Sequence, residues 1–327
     1  MTPARILSLL PSATEIVAAL GFESRLVGRS HECDFPPGVE RLPVCTAPKI
    51  DVSGRSDEIH HDIQRLLEQA LSVYRVDAAR LRELSPTHVV TQVQCEVCAV
   101  NLDDVRVALA DWSPPKPLLV ALSSRDLEDV FGDIERVAEA LDAPERGRTL
   151  VEEMRRRMDA VRKTASGTSS RPRVAAIEWL SPLMAAGNWI PEMVTMAGGE
   201  NLFGETGMHS PWLSWEELRA SNPDVMVLFP CGFSLERVRA ELGLLTALPG
   251  WETLACVEAG RVYLADGNQY FNRPGPRLVE SLEALAQMLH PELVAGSLEG
   301  AAWERLSAAG TRSARSSLRE RSQRGHR

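Results

Sequence analysis

The chain has 327 residues, 44% of them apolar and 25% charged, with a formal net charge of −9. This composition excludes a disordered polymer and a membrane-embedded chain, and the acidic balance excludes nucleic acid as a partner, because neutralising phosphates takes a basic surface. At about 100–200 residues per domain, the length predicts two cores.

In chain order, Arg5 to Leu10 reads as a first strand. Pro11 to Glu15 opens a helix in which Ser12 is the expected cap and Glu15 closes a capping box; Ile16, Val17 and Leu20 form its apolar face and Gly21 stops it. A short strand at Arg25 to Gly28 leads into the loop Ser30 to Pro37. Helices are expected from Asp57 to Tyr74 and from Asp77 to Leu84, then a strand from Pro86 to Thr91 that runs into Gln92-Val93-Gln94-Cys95-Glu96-Val97-Cys98. A helix from Asp103, a strand at Pro117 to Leu122 and a helix at Asp126 to Leu141 close the first half.

From Pro144 to about Thr164 the apolar residues Leu150, Val151, Met154, Met158 and Val161 recur at three- and four-residue steps, with arginines and glutamates between them. This spacing predicts a long helix with one buried stripe. The small polar run Thr164 to Ser170 ends it. After that linker the order repeats: a strand at Arg173 to Glu178, helices at Pro191 to Ala197 and Ser214 to Ala220, and strands at Asp224 to Phe229 and Arg261 to Ala265. The closest internal match pairs Leu81 to Val90 with Leu218 to Val227, in each case a helix end, a proline and an apolar strand; the first half carries the longer insertion, placed at Lys49 to Tyr74. The expected class is therefore α/β: two Rossmann-like lobes with parallel sheets, joined by one long spine helix. The expected divisions are an N-terminal lobe over 1–143, spine and linker over 144–170, a C-terminal lobe over 171–290, and a disordered tail over 291–327 whose last stretch has six arginines against Glu320.

No window approaches the roughly 18 uninterrupted apolar residues of a membrane span. With no basic leader or small-residue cleavage site after Met1, the expectation is a cytoplasmic monomer, or an extracytoplasmic one if translation starts upstream. The six cysteines (33, 45, 95, 98, 231, 256) read as free thiols in a chain of this size.

Phosphate-cradling glycine motifs, the G-x-S-x-G elbow and H-E-x-x-H are absent, which removes nucleotide, hydrolase and metalloprotease readings. What stands out is polar and aromatic side chains on loops: His31, Glu32, Cys33 and Phe35; Gln92 and Gln94; Trp189; Trp212; and Gln269, Tyr270 and Arg273. Flat faces beside amide donors suit a large, planar, amide-decorated ligand, held in a cleft between lobes. Cys95-x-x-Cys98 leaves other chemistry open: a redox thiol, or, with His31 and Cys33, a four-ligand zinc site or an axial ligand to cobalt or iron. Cysteine is also an ordinary small core residue.

These loops resemble the vitamin B12-binding family of ABC-transporter substrate-binding proteins, in which one long helix joins two α/β lobes. The likeness rests on Ser8 to Glu15, Asp34-Phe35-Pro36-Pro37, Gly198 to Phe203, and Phe271 to Arg277. It implies a non-catalytic receptor for cobalamin or a related corrinoid, with the His31 to Phe35 loop and Tyr270 facing the corrin. An iron-siderophore or haem receptor on the same scaffold is the alternative, Arg273 being the basic residue near the site. The resemblance also implies an ABC permease as partner, docked through an acidic residue on each lobe; Glu216 matches the second, while Ala79 stands at the first.

Overall fold

The computed structural model describes residues 3–68, 73–93, 100, 102–110, 112–113, 115–168, 170–294, 296 and 298–307. The elements run β1 (Ile6–Ser8), α1 (Pro11–Ala19), β2 (Leu26–Arg29), β3 (Thr46–Pro48), α2 (Ser56–Glu68), β4 (Tyr74–Val76), α3 (Ala78–Leu84), β5 (His88–Gln92), α4 (Leu102–Ala108), β6 (Leu118–Leu122), α5 (Leu127–Ala140) and α6 (Pro144–Ala165). They continue β7 (Arg173–Leu180), β8 (Leu183–Ala185), α7 (Ile190–Met196), β9 (Glu200–Asn201), α8 (Trp215–Ser221), β10 (Val225–Leu228), α9 (Leu235–Glu241), α10 (Gly243–Thr246), α11 (Ala255–Glu258), β11 (Val262–Ala265), α12 (Leu278–Leu289) and β12 (Trp303–Arg305).

The chain divides into two compact units. Unit 1 holds Met1–Gly54, Glu58–Arg155 and Pro274–Pro276; unit 2 holds Arg55–Asp57, Arg156–Arg273 and Arg277–Arg327. The division falls inside α6, between Arg155 and Arg156. That helix spans the predicted residues, and Val151, Met154, Met158 and Val161 are buried along one stripe. Arg155 pairs with Glu128 of α5 at 2.7 Å, within unit 1, and Arg157 pairs with Glu280 and Glu283 of α12 at 2.8 and 2.9 Å, within unit 2.

In unit 1 the main sheet pairs in the order β2-β1-β5-β6, all parallel, so apolar β5 is shielded by neighbours on both edges, and β3 and β4 form a separate two-stranded sheet. Leu7, Leu9, Leu81, Val89 and Val105 lie in its core. In unit 2 the order is β12-β11-β10-β7-β8, with β9 beside β7; β7, β10 and β11 are parallel, while the edges β8 and β12 are antiparallel. The expected parallel sheets are thus present as the main sheet of unit 1 and the centre of the unit 2 sheet, while the antiparallel pairs β3–β4, β7–β8 and β11–β12 were not expected. β12 also corrects the tail expected from residue 291: Trp303 is buried and meets Tyr263 edge-on at 5.5 Å, so the chain to at least residue 307 belongs to unit 2.

The internal match is visible in geometry. α3 and α8 each have seven residues, with side-chain caps from Asp77 and Ser214, and each ends on a left-handed residue, Ser85 (φ 44°) and Asn222 (φ 41°), before a proline and a central strand. Arg5, just ahead of β1, donates to Leu84 O at 2.6 Å, and Arg173, at the start of β7, donates to Ser221 O at 2.8 Å, each closing the carboxyl end of the matching helix.

Two local expectations change. Leu10 is the cap residue of α1 and Pro11 its first helical residue, so Ser12 lies inside the helix and caps nothing; a proline with no N–H fits the first turn better than a serine does. Tyr74 opens β4 instead of ending a helix: β3 and β4 pair antiparallel, Thr46 with Val76 and Pro48 with Tyr74, and frame α2. This strand pair brackets the region, Lys49 to Tyr74, where the insertion was expected.

Candidate functional site

Loops leaving the carboxyl ends of parallel strands are where open α/β sheets bind ligands, because side chains there point away from the sheet with no strand continuing over them. In unit 1 the exit of β2 carries His31, Glu32 and Phe35, and Gln92 is the buried last residue of β5. The β2 exit is gathered around a side chain: the Arg29 guanidinium donates to the carbonyls of Ser30 (2.9 Å), His31 (3.3 Å) and Cys33 (3.2 Å). His31 is part-exposed. Its backbone N–H meets Thr46 Oγ1 at 3.0 Å, its Nδ1 meets the same oxygen at 2.7 Å, and its ring lies 5.6 Å from that of Tyr74. Burial first, and the Arg29 charge second, push the His31 pKa down to about 4, so the ring is neutral near neutrality. Tyr74 Oη donates to Glu32 Oε1 at 3.5 Å. Thr46 and Tyr74, which sequence reasoning missed, are brought to the histidine by the antiparallel β3–β4 pair.

Cys33 is 1% exposed and its sulfur accepts from Thr14 Oγ1 at 3.0 Å, inside the unit, whereas His31 is turned to Thr46. The two were expected as partners in a zinc site; their side chains are committed to different neighbours, and among the described residues no group of three or more His, Cys, Asp or Glu is placed to hold a metal. Gln94, Cys95 and Cys98 lie outside the described residues. Cys33, Cys45, Cys231 and Cys256 are free thiols, and burial raises Cys45 to about 11 and Cys256 to about 12, which makes both poor nucleophiles.

In unit 2 the exit of β11 is the main loop. Asp266 Oδ1 accepts the N–H groups of Asn268 (2.9 Å) and Gln269 (2.6 Å), and Asn272 Nδ2 donates to Phe229 O at 2.9 Å, lacing the loop to the exit of β10. Arg277 lies 5.1 Å from the centre of the Tyr270 ring and 3.4 Å from Gln269 Oε1, and so orients both. Arg273 is 4% exposed and donates to Asn268 Oδ1 at 3.0 Å, a brace for the loop more than an open basic group. Trp212 is 58% exposed and bridges to Met184 of β8, with Met208 also exposed. Trp189 corrects the expectation of a ligand-facing indole: it is 6% exposed and its Nε1 donates to Phe271 O at 3.0 Å. The loop bearing Phe271 and Tyr270 is what it anchors.

Glu178, near the end of β7, was not foreseen. Burial lifts its carboxyl to about 7 despite a bond with Ser210. A raised carboxyl pKa means the folded state loses stability as pH climbs from about 4.5 through about 7, where the unfolded chain has already released its proton. Glu178→Gln is therefore expected to match the wild type in urea unfolding near pH 4.5 and to exceed it by about 2 kcal/mol near pH 8; an equal difference at both pH values would refute the assignment.

The family model described as periplasmic binding protein matches residues 91–268, more than half of the chain. The chain belongs to the periplasmic binding protein family. Within it, the vitamin B12-binding protein of Vibrio cholerae serotype O1 is 23% identical over 296 residues, covering 87% of this chain and 88% of the relative. Among solved structures, the periplasmic haem-binding protein of Pseudomonas aeruginosa aligns with a TM-score of 0.70 at 22% identity, over 94% of this chain and 99% of that one. The periplasmic vitamin B12 binding protein of Vibrio cholerae aligns at 0.63 and 20%, over 88% and 98%. In this family member no described helix is long and apolar enough to cross a membrane.

Proposed function

We propose that the chain is a non-catalytic substrate-binding protein that takes up cobalamin or a related corrinoid through its strand-end loops, in an ABC-transport setting. The observation that carries the reading is the residue chemistry at those ends: Phe35 and Gln92 in unit 1, and Trp212, Gln269 and Tyr270 in unit 2, supply flat faces and amides. A corrin presents a broad apolar ring rimmed by amides, so stacking and amide hydrogen bonds are the interactions it can use. The B12-binding relative, alignable along most of both chains, supports the same ligand class.

Titration with cyanocobalamin tests this directly. Saturable heat and a change in the visible bands of the pigment are expected; neither at high micromolar ligand would reject the corrinoid reading. Haem is the second reading, favoured by the alignment with a haem-binding protein. Haemin titrated in parallel separates the two, since the true ligand should bind the tighter.

Docking to a permease would run through exposed Glu216 in the first turn of α8. Aligning the caps Asp77 and Ser214 sets Ala79 of α3 opposite Glu216, so the proposed contact has its acidic anchor on unit 2 alone.

A further inference from the structure

The His31 imidazole has one nitrogen engaged and one open. Nδ1 lies 2.7 Å from Thr46 Oγ1, and the Thr46 hydroxyl donates in turn to Ser30 Oγ at 3.1 Å. A hydroxyl has one hydrogen and two lone pairs; when Thr46 gives its hydrogen to Ser30 it accepts from the His31 backbone N–H and from Nδ1, and this arrangement is the tautomer with the ring proton on Nδ1. In that tautomer Nε2 keeps its lone pair, and among the described residues it has no hydrogen-bond partner. The Tyr74 ring at 5.6 Å and the Thr46 bonds to both the backbone and the ring fix where that lone pair points. An imidazole that gives its second N–H to a fixed acceptor is the usual form of a metal-ligating histidine, because the bond selects the tautomer and aims the ring.

We propose that His31 Nε2 is an axial ligand to the metal centre of the bound macrocycle, cobalt in a corrinoid. This rests on the reading of the chain as a tetrapyrrole receptor. A bare ion would need several protein ligands, and the described residues offer no group of three. A macrocyclic ligand brings its four equatorial nitrogens with it, so a single well-aimed imidazole completes the sphere. The step is ligand exchange at cobalt(III): the Co–N bond to Nε2 forms, a bound water leaves, and no electron or proton changes hands. Thr46 acts through the histidine and is a positioning residue.

The test uses the full chain and two cobinamides, one with water on both cobalt faces and one with cyanide on both. Wild-type protein is expected to retain diaquocobinamide on a desalting column and shift its visible bands to those of free cobinamide carrying one imidazole. It should hold the dicyano form, whose axial sites are blocked, more weakly. In His31→Ala and His31→Gln, affinity for the diaquo form should fall about tenfold or more, affinity for the dicyano form should stay within about threefold of wild type, and pigment loaded at high concentration should keep its diaquo spectrum. Far-UV circular dichroism identifies a variant that has not folded, and the wild-type spectrum decides the matter without it. Pigment retained by wild type with an unchanged diaquo spectrum, or the same shift in both variants, overturns the axial assignment while leaving the receptor reading standing. No retention of either cobinamide by wild type overturns both.

Discussion

Gly267→Ala is expected to cost about 3–5 kcal/mol and to lower the melting temperature of unit 2 by about 10 °C. A Cβ built at Gly267 would stand 2.1 Å from Pro230 O and 2.6 Å from Phe229 O, and both are backbone atoms that no rotamer change can move. The glycine lies where two strand exits are sewn together: its N–H donates to Phe233 O at 2.9 Å, and its carbonyl accepts from Gly232 N at 3.2 Å. A methyl group there must part the exits of β10 and β11, and with them the loop holding Gln269 and Tyr270, so corrinoid affinity should fall as well. Gly132→Ala in the middle of α5 is the control, since a Cβ there meets nothing within 4 Å; it should stabilise by up to about 1 kcal/mol through helix propensity. Thermal melts of the two variants decide the point, and a Gly267→Ala protein that melts with the wild type would show that the exits can part freely.

Trp189→Ala is expected to destabilise unit 2 by about 3–5 kcal/mol, the range for emptying a large aromatic site. The indole is buried, and its N–H satisfies Phe271 O, while Phe271 itself stacks on Phe229 at 4.9 Å. Trp189→Phe should lose about 1–3 kcal/mol, mainly from the carbonyl left without its donor. Urea unfolding of both variants separates this packing role from a ligand contact. If the indole faced the ligand, the alanine variant would unfold like wild type and lose binding; the geometry requires the reverse order, with stability lost first and binding reduced through the displaced Tyr270 loop.

Much of the fold is written locally. The stripe at Val151, Met154, Met158 and Val161 fixes α6, because groups three and four apart share a helix face whatever lies beyond. The caps Asp77, Asp126 and Ser214 mark three helix starts, each accepting an amide three residues on. The duplicated helix end, proline and strand were legible for the same reason, every part lying within about ten residues of the next, while the left-handed residues Ser85 and Asn222 between them came only with the structure. The placement of the candidate loops was legible in part. The loops bearing His31, Phe35 and Tyr270 leave the ends of the parallel strands β2 and β11, as their flanking apolar runs imply, whereas Trp212 lies just ahead of α8 against the antiparallel β8.

Residue order alone determined that the chain is two α/β units threaded by one amphipathic helix, and which loops leave the strand ends. Periodicity and capping are short-range forces that act before the chain collapses. Tertiary structure decided the rest: that Thr46 and Tyr74 meet His31, that Trp189 is packed, that Glu178 holds its proton to about pH 7, and that Trp303 closes a sheet edge. Each of these depends on groups brought together from distant parts of the sequence, and their desolvation and hydrogen bonding exist only once those groups meet.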